Sequence, residues 1–179
     1  MATASSPAAD LQGNSGAADC KAFVAGCEGT RLSADELAFF RAERPFGLIL
    51  FARNCEEPEA IADLCAAFRD AVGRQRAPVF IDQEGGRVQR LRPPHWDRLA
   101  PARAIGRLAE ADEAAAARAA WLHGRLIAHD LTALGIDVDC APVLDVLAAA
   151  SSEAIGDRAF STRPDRVRAL GQALSLIHI

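Results

Sequence analysis

The densest run of chemically capable side chains is Ile81-Asp82-Gln83-Glu84-Gly85-Gly86-Arg87-Val88-Gln89-Arg90. Two acids and two arginines flank a glycine pair that permits a tight turn and close backbone approach to a ligand. A carboxylate at such a place accepts hydrogen bonds from vicinal sugar hydroxyls, and an arginine fork supplies matching donors to hydroxyl or carbonyl oxygens. That is carbohydrate-binding chemistry. The competing reading is an ion-pair network in which Asp82 and Glu84 pair with Arg87, Arg90 or Arg92 and only fix the loop. Spacing alone favours that network, because structural charge networks are common. A phosphate loop is excluded: the glycine pair lacks the Gly-x-x-x-x-Gly-Lys spacing and any lysine.

Other polar groups carry weaker signals. Ile155-Gly156-Asp157-Arg158 places an arginine after a glycine in a polar loop, which alone reads as surface. Asp137, Asp139 and Asp145 are carboxylates near one strand and its exit, where alternation makes some of them strand-end or buried capping groups. His95, His123 and His129 do not form a metal spacing with an acidic partner on one helix face, and His178 lies in the last residues, so no metal site is expected. Trp96, beside Pro93 and Pro94, reads first as a loop anchor and second as a stacking platform for a sugar ring. Arg53-Asn54 reads equally as a ligand group and as a turn-capping pair.

The elements that must position these groups alternate between short apolar runs and amphipathic segments, the pattern of βα units. The runs are Ala22 to Gly26, Phe46 to Phe51, Pro78 to Asp82 and Ile136 to Cys140. Phe46 to Phe51 is apolar on both faces, as expected of a parallel strand covered on each side. Ser33 and Glu36 have capping-box spacing and predict a helix start. Pro58 opens a helix with Ile61, Leu64, Cys65, Phe68 and Val72 at helical spacing and Gly73 as its stop. After Asp82 a long loop is expected. A helix then runs from about Asp112 to Leu134, with Ala117, Ala120, Trp121, Gly124, Ala128 and Leu131 on its apolar stripe and Gly135 as breaker. Pro164 opens a last helical pattern through Val167, Leu170 and Leu174. Four βα units with a parallel sheet fit either an open doubly wound sheet or half of a closed barrel, and in both the ligand site lies beyond the carboxyl ends of the strands.

Composition bounds the rest. At 179 residues and half apolar, the chain is long enough for one substantial core. A net charge of −4 provides no footprint for nucleic acid or an anionic membrane and suits a neutral or polar small substrate. The five cysteines, Cys20, Cys27, Cys55, Cys65 and Cys140, are odd in number and scattered, and read as thiols of a reducing compartment. Residues 1–20 read as a disordered leader, and the stretch through Asp19 lacks the charged and apolar regions of a secretory signal. With no apolar run long enough to span a bilayer, a cytoplasmic protein is expected.

Four segments occur in an order that resembles one family: Gly47-Leu48-Ile49-Leu50-Phe51-Ala52-Arg53-Asn54, the Asp82-to-Arg90 run, Ala141-Pro142-Val143-Leu144-Asp145-Val146, and Ile155-Gly156-Asp157-Arg158. Over about residues 21–175 the chain resembles bacterial β-N-acetylhexosaminidases of the family-3 glycoside hydrolases. The resemblance implies an α/β fold of (β/α)₈ TIM-barrel type, of which this sequence holds the N-terminal half, about four βα units. It implies removal of terminal β-linked N-acetylglucosamine from muropeptides in cell-wall recycling, with no cofactor and a small carbohydrate as partner.

Carried over by position, Asp82, Arg90 and Arg158 are implied to bind the N-acetylglucosamine, which reverses the reading of Asp82 from spacing alone. Asp157 stands where the family commonly has glutamate. The implied mechanism is retaining and two-step, with an aspartate nucleophile and a histidine acid/base on a mobile loop. Neither those residues nor the Lys-His-x-Pro-Gly-His-Gly segment occurs in this sequence, so the catalytic pair is expected beyond residue 179, residues 176–179 are read as a doubtful tail, and the chain alone is expected to be inactive. Half a barrel is also expected to be poorly stable or to self-associate through its open strand edge. The alternatives are a non-catalytic sugar-binding half-barrel and a β-glucosidase-like enzyme of the same superfamily.

Overall fold

The computed structural model describes residues 20–148 and 151–175. The expected leader, apart from Cys20, and the doubtful tail at 176–179 lie outside the described residues. The order of elements is β1 (Lys21–Ala25), α1 (Ala34–Glu43), β2 (Pro45–Leu50), α2 (Pro58–Val72), β3 (Val79–Ile81), α3 (Ala102–Ala111), α4 (Glu113–Ala133), β4 (Val138–Asp139) and α5 (Pro164–Ser175). The strands form one sheet in the order β1-β2-β3-β4, each pair parallel. Parallel neighbours require crossovers, and helices supply them here.

The caps and stops read from the sequence are present. Ser33 Oγ accepts from the Glu36 amide at 3.2 Å, and the Ser33 amide donates to Glu36 Oε2 at 2.8 Å, so two orphan donors at the start of α1 are satisfied reciprocally. In α2, Pro58 occupies the first turn, Gly73 ends the helix in the left-handed region at φ 65°, and Ile61, Leu64, Cys65, Phe68 and Val72 are all buried. They pack with Leu48, Leu50, Val79 and Ile81 of the sheet into the main core. Gly47 permits β2 and β3 to approach: a Cβ there would lie 2.6 Å from the Phe80 ring and 2.7 Å from the Pro78 carbonyl oxygen.

The long loop expected after Asp82 contains a helix that the sequence reading missed. Helix α3 begins after Pro101 with no side-chain cap, and only Ile105, Gly106 and Ala109 of it are buried, so it offers neither a capping signal nor a long apolar stripe. It joins α4 and α5 in a second core of Ile105, Ala109, Ala116, Ala120, Phe160, Val167, Leu170 and Leu174.

The expected stripe on α4 is also corrected. Ala120, Gly124 and Leu131 are buried as expected, but the rest of the buried face is Ala116, His123 and Ile127, while Ala117, Trp121 and Ala128 are only half-buried. The many alanines give little contrast around this helix. Trp121 instead lies under the guanidinium of Arg118, 4.5 Å from the ring centroid. Strand ends differ by a residue or two from the expected runs, most at β4, where only two residues make the ladder.

Candidate functional site

The carboxyl ends of β3 and β4 converge on the loop at residues 82–101, and two buried glutamines fix its path. Gln83, wholly buried, donates through its backbone N–H to Asp139 Oδ1 at 2.9 Å and accepts at its side-chain Oε1 from the backbone amides of Arg90 and Leu91 at 2.8 and 3.0 Å. Gln89 donates to the carbonyls of Leu91 and Asp97, both at 2.7 Å, and accepts from the Leu99 amide at 3.0 Å. Each glutamine thus stands in for missing secondary structure by satisfying backbone groups that no ladder reaches. Gly85 turns the chain at φ 95°, and a Cβ there would meet the Ala100 carbonyl oxygen at 2.5 Å. Glycine is required at that position on both counts.

On this frame sit two acid–arginine pairs. Asp82, at the exit of β3, takes a hydrogen bond at Oδ2 from Arg90 Nη2 at 2.7 Å, with both side chains partly open to solvent. Glu84, two residues on, is gripped by Arg158: Nε lies 2.9 Å from Oε2 and Nη2 lies 2.6 Å from Oε1. The Glu84 side chain is 7% exposed, so this bidentate pair is the buried electrostatic contact of the site. The charge of Asp82 also bears on Arg158, which the Glu84 hydrogen bonds chiefly hold in its charged form.

Supporting groups surround these pairs. The Glu84 carbonyl accepts from Nε2–H of His123 at 2.9 Å. Burial pushes the His123 pKa down, against the raising effect of the Glu84 carbonyl. Asp139, at the exit of β4, has its pKa pushed up to about 7, first by burial and further by Glu84 and Asp82, against the lowering effect of the Gln83 amide. Arg87 ties the 151–158 loop down through Asp157 Oδ1 at 2.8 Å and the carbonyls of Glu153 and Ala154 at 2.9 and 2.6 Å. Helix α3 holds the other side of that loop. A Cβ on Gly106 would lie 1.7 Å from the Phe160 carbonyl oxygen, so the helix backbone rests directly on the chain two residues past Arg158.

Of the residues singled out in the sequence, Asp82 and Arg90 are in contact, and Arg158 reaches the same loop through Glu84. The expected network is present in part. Asp82 pairs with Arg90, but Glu84 pairs with Arg158, and Arg92 donates to the Gln89 carbonyl. Asp137 lies at the opposite end of the sheet, where it accepts from Arg69 and the Val79 amide, both at 2.8 Å, and Asp145 is exposed.

Trp96 is an anchor, packed against the main core, with His95 edge-on to it and 3.1 Å from Glu57. Arg53 and Asn54 act as a turn pair: Arg53 Nε donates to the Cys27 carbonyl at 2.9 Å, and Asn54 Nδ2 to the Gly29 carbonyl at 2.7 Å. Cys27, Cys55 and Cys65 are thiols whose pKa burial raises to about 11, 12 and 11. Among the described residues, no helix is long and apolar enough to cross a membrane. Gln83, Gln89 and Gly106 went unnoticed because a glutamine in a polar loop and a glycine in a helix carry no pattern that marks a tertiary contact.

Comparison with known proteins shows the family of the chain. The family described as "Glycosyl hydrolase family 3 N terminal domain" matches residues 30–175. A beta-hexosaminidase of Xanthomonas campestris pv. campestris (strain B100) is 40% identical over 148 residues, which cover 83% of this chain and 44% of that protein. One from Xanthomonas oryzae pv. oryzae is 44% identical over 156 residues, 83% of this chain and 45% of that protein. Among solved structures, NagZ from Neisseria gonorrhoeae superposes with a TM-score of 0.81 at 33% identity, covering 87% of this chain and 46% of that one. The family-3 β-N-acetylglucosaminidase of Paenibacillus sp. str. FPU-7 gives 0.76 at 29% identity, covering 86% and 28%. The chain therefore spans under half the length of these relatives. On its sequence, its parallel α/β architecture and these likenesses, it belongs to the glycosyl hydrolase family 3 N-terminal domain family.

Proposed function

We propose that residues 21–175 form the sugar-binding N-terminal half of a β-N-acetylhexosaminidase barrel, and that Asp82, Arg90 and Arg158 hold a terminal N-acetylglucosamine. The observation that carries the reading is the pair of acid–arginine contacts at the carboxyl ends of β3 and β4, where ligands of parallel α/β folds bind. Asp82 and Arg90 are partly exposed, so hydroxyl groups reach them, whereas Glu84 is buried and serves to aim Arg158. A relative supports the choice of sugar: the same Neisseria NagZ was solved in complex with N-trifluoroacetyl-D-glucosamine.

In this reading the chain's own residues bind and orient. The acid–arginine pairs and the glutamine-pinned loop hold the sugar in one pose, which lowers the entropic part of the barrier. The bond-breaking residues come from the remainder of the barrel, by a retaining mechanism with a glycosyl-enzyme intermediate. Muropeptide fragments in the cytoplasm, handled during peptidoglycan recycling, are the substrates this reading assigns.

The test is calorimetric titration of the 179-residue chain with N-acetylglucosamine and with glucose. Saturable binding of the acetylated sugar, at least about tenfold tighter than glucose and weakened by Asp82→Asn, is expected from the loss of specific polar contacts. Equal or undetectable binding of both sugars overturns the reading.

A further inference from the structure

The parallel register of β3 and β4 sets Phe80 beside Val138 and Ile81 beside Asp139. The Cys140 amide donates to the Ile81 carbonyl at 2.8 Å, which carries the ladder one residue further and makes Asp82 and Cys140 the next pair. Successive side chains alternate between faces, so Asp82 and Cys140 project from the same face of the sheet, opposite the one on which Ile81 packs into the main core with α2. Adjacent strands lie about 4.8 Å apart, so the thiol starts within reach of the Asp82 carboxylate. In the sequence Cys140 reads only as one of five scattered thiols; the strand register gives it a neighbour.

The electrostatics agree with that placement. Cys140 is exposed, yet what burial it has and then the charge of Asp82 push its thiol up to about 11, with Asp139, a hydrogen bond to the Asp82 side chain and Glu84 adding to the rise. These three carboxylates are the charged groups that bear on it. At neutral pH the group is therefore S–H, a weak donor and a poor nucleophile. Arg90 Nη2 holds Asp82 at Oδ2, 2.7 Å away, and one such bond leaves the carboxylate free to turn about its broad terminal torsion. A donor on the strand alongside removes that freedom. An ionised carboxylate has about four lone-pair sites, so a single weak S–H leaves acceptor capacity for sugar hydroxyls.

We propose that Cys140 is a positioning residue of the sugar site, holding the Asp82 carboxylate in the orientation that meets the ligand. It acts through Asp82, and it rests on the sugar-binding reading above.

The experiment has two readouts on the 179-residue chain. The first uses no sugar: Cys140 is alkylated by iodoacetamide at about pH 8.5, where the thiolate displaces iodide and the thiol proton goes to buffer, and mass spectrometry follows the Cys140 peptide. Asp82→Asn removes a charge that disfavours the thiolate and raises the rate about fivefold, whereas Glu59→Gln, at an exposed position on α2, leaves it unchanged. The second is calorimetric titration with N-acetylglucosamine. Cys140→Val, similar in size but with no donor, weakens binding about threefold, Cys140→Ser restores it, and Cys140→Val adds nothing once Asp82→Asn is present.

Equal alkylation rates in the unaltered chain and in Asp82→Asn overturn the proposal whatever the sugar does. So does undiminished binding by Cys140→Val, failure of Cys140→Ser to restore it, or the same loss from Cys140→Val in the Asp82→Asn background. If the unaltered chain binds no N-acetylglucosamine, the sugar-binding reading falls and this role falls with it, while the alkylation rates still record the contact itself.

Discussion

Glu84 and Arg158 stand 74 positions apart in the chain and meet as a buried, two-bonded pair, Nε to Oε2 at 2.9 Å and Nη2 to Oε1 at 2.6 Å. The contact joins the exit of β3 to the loop before α5. It fixes where Arg158 points.

Removing one partner strands the other. Arg158→Met leaves Glu84 charged and enclosed, and is expected to lower stability by roughly 2–3 kcal/mol, the lower end for a broken buried pair because Arg158 itself is 28% exposed. Adding Glu84→Gln recovers part of that loss. Urea unfolding of the single and double variants checks this, and strictly additive losses contradict a direct pair.

Asp139 makes stability fall with rising pH. Its folded pKa of about 7 lies above its ordinary value of 3.8, so the folded state holds a proton that the unfolded chain has already released. The contribution is fully present below about pH 4 and is lost as pH rises through 7, with a slope approaching roughly 1.4 kcal/mol per pH unit from this group. Asp139→Asn keeps an oxygen for the Gln83 amide and flattens the profile between pH 4 and 7. Denaturant midpoints across that range measure it, and parallel profiles for the two proteins contradict the assignment.

Gly106 is a contact position. Ordinarily a glycine in a helix costs about 0.5–1 kcal/mol relative to alanine, so Gly106→Ala would stabilise an unhindered α3. Here the added Cβ falls 1.7 Å from the Phe160 carbonyl oxygen, and a loss of about 3 kcal/mol is expected as α3 lifts away from the 151–160 segment. Gly29→Ala, with nothing within 4 Å, is the control and is near neutral. Thermal unfolding of both variants distinguishes the positions.

The sheet leaves β1 and β4 as edges. Phe23 and Val24 on β1 and Leu144 and Val146 after β4 are exposed, a combination that templates strand pairing between chains. The 179-residue chain alone is expected to self-associate in a concentration-dependent way, and Val24→Lys is expected to reduce it. Sedimentation velocity of the two proteins decides, and a monomer at all concentrations contradicts this.

Local signals were read correctly where the chain itself supplied both halves of a contact. The Ser33–Glu36 box, Pro58 and Gly73 around α2, and the Val167, Leu170 and Leu174 face of α5 are all such cases. What escaped needed a partner distant in sequence. Helix α3 buries a short face, Ile105, Gly106 and Ala109, against Phe160 across the fold, the α4 face is set by packing on two cores, and the loop at residues 82–101 is shaped by Gln83 and Gln89 reaching backbone groups. The same limit explains the site: Asp82 and Arg90 are near in sequence and met as expected, whereas the partner of Glu84 lay across the fold.

The most direct measurement is an NMR titration of the 179-residue chain with N-acetylglucosamine, following the Nε–H signals of Arg90 and Arg158. The predicted result is saturable movement of both signals at one dissociation constant, with Arg69, bonded to Asp137 at the other end of the sheet, unmoved. Movement of neither signal, or equal movement of Arg69, contradicts a sugar site at the carboxyl ends of the strands.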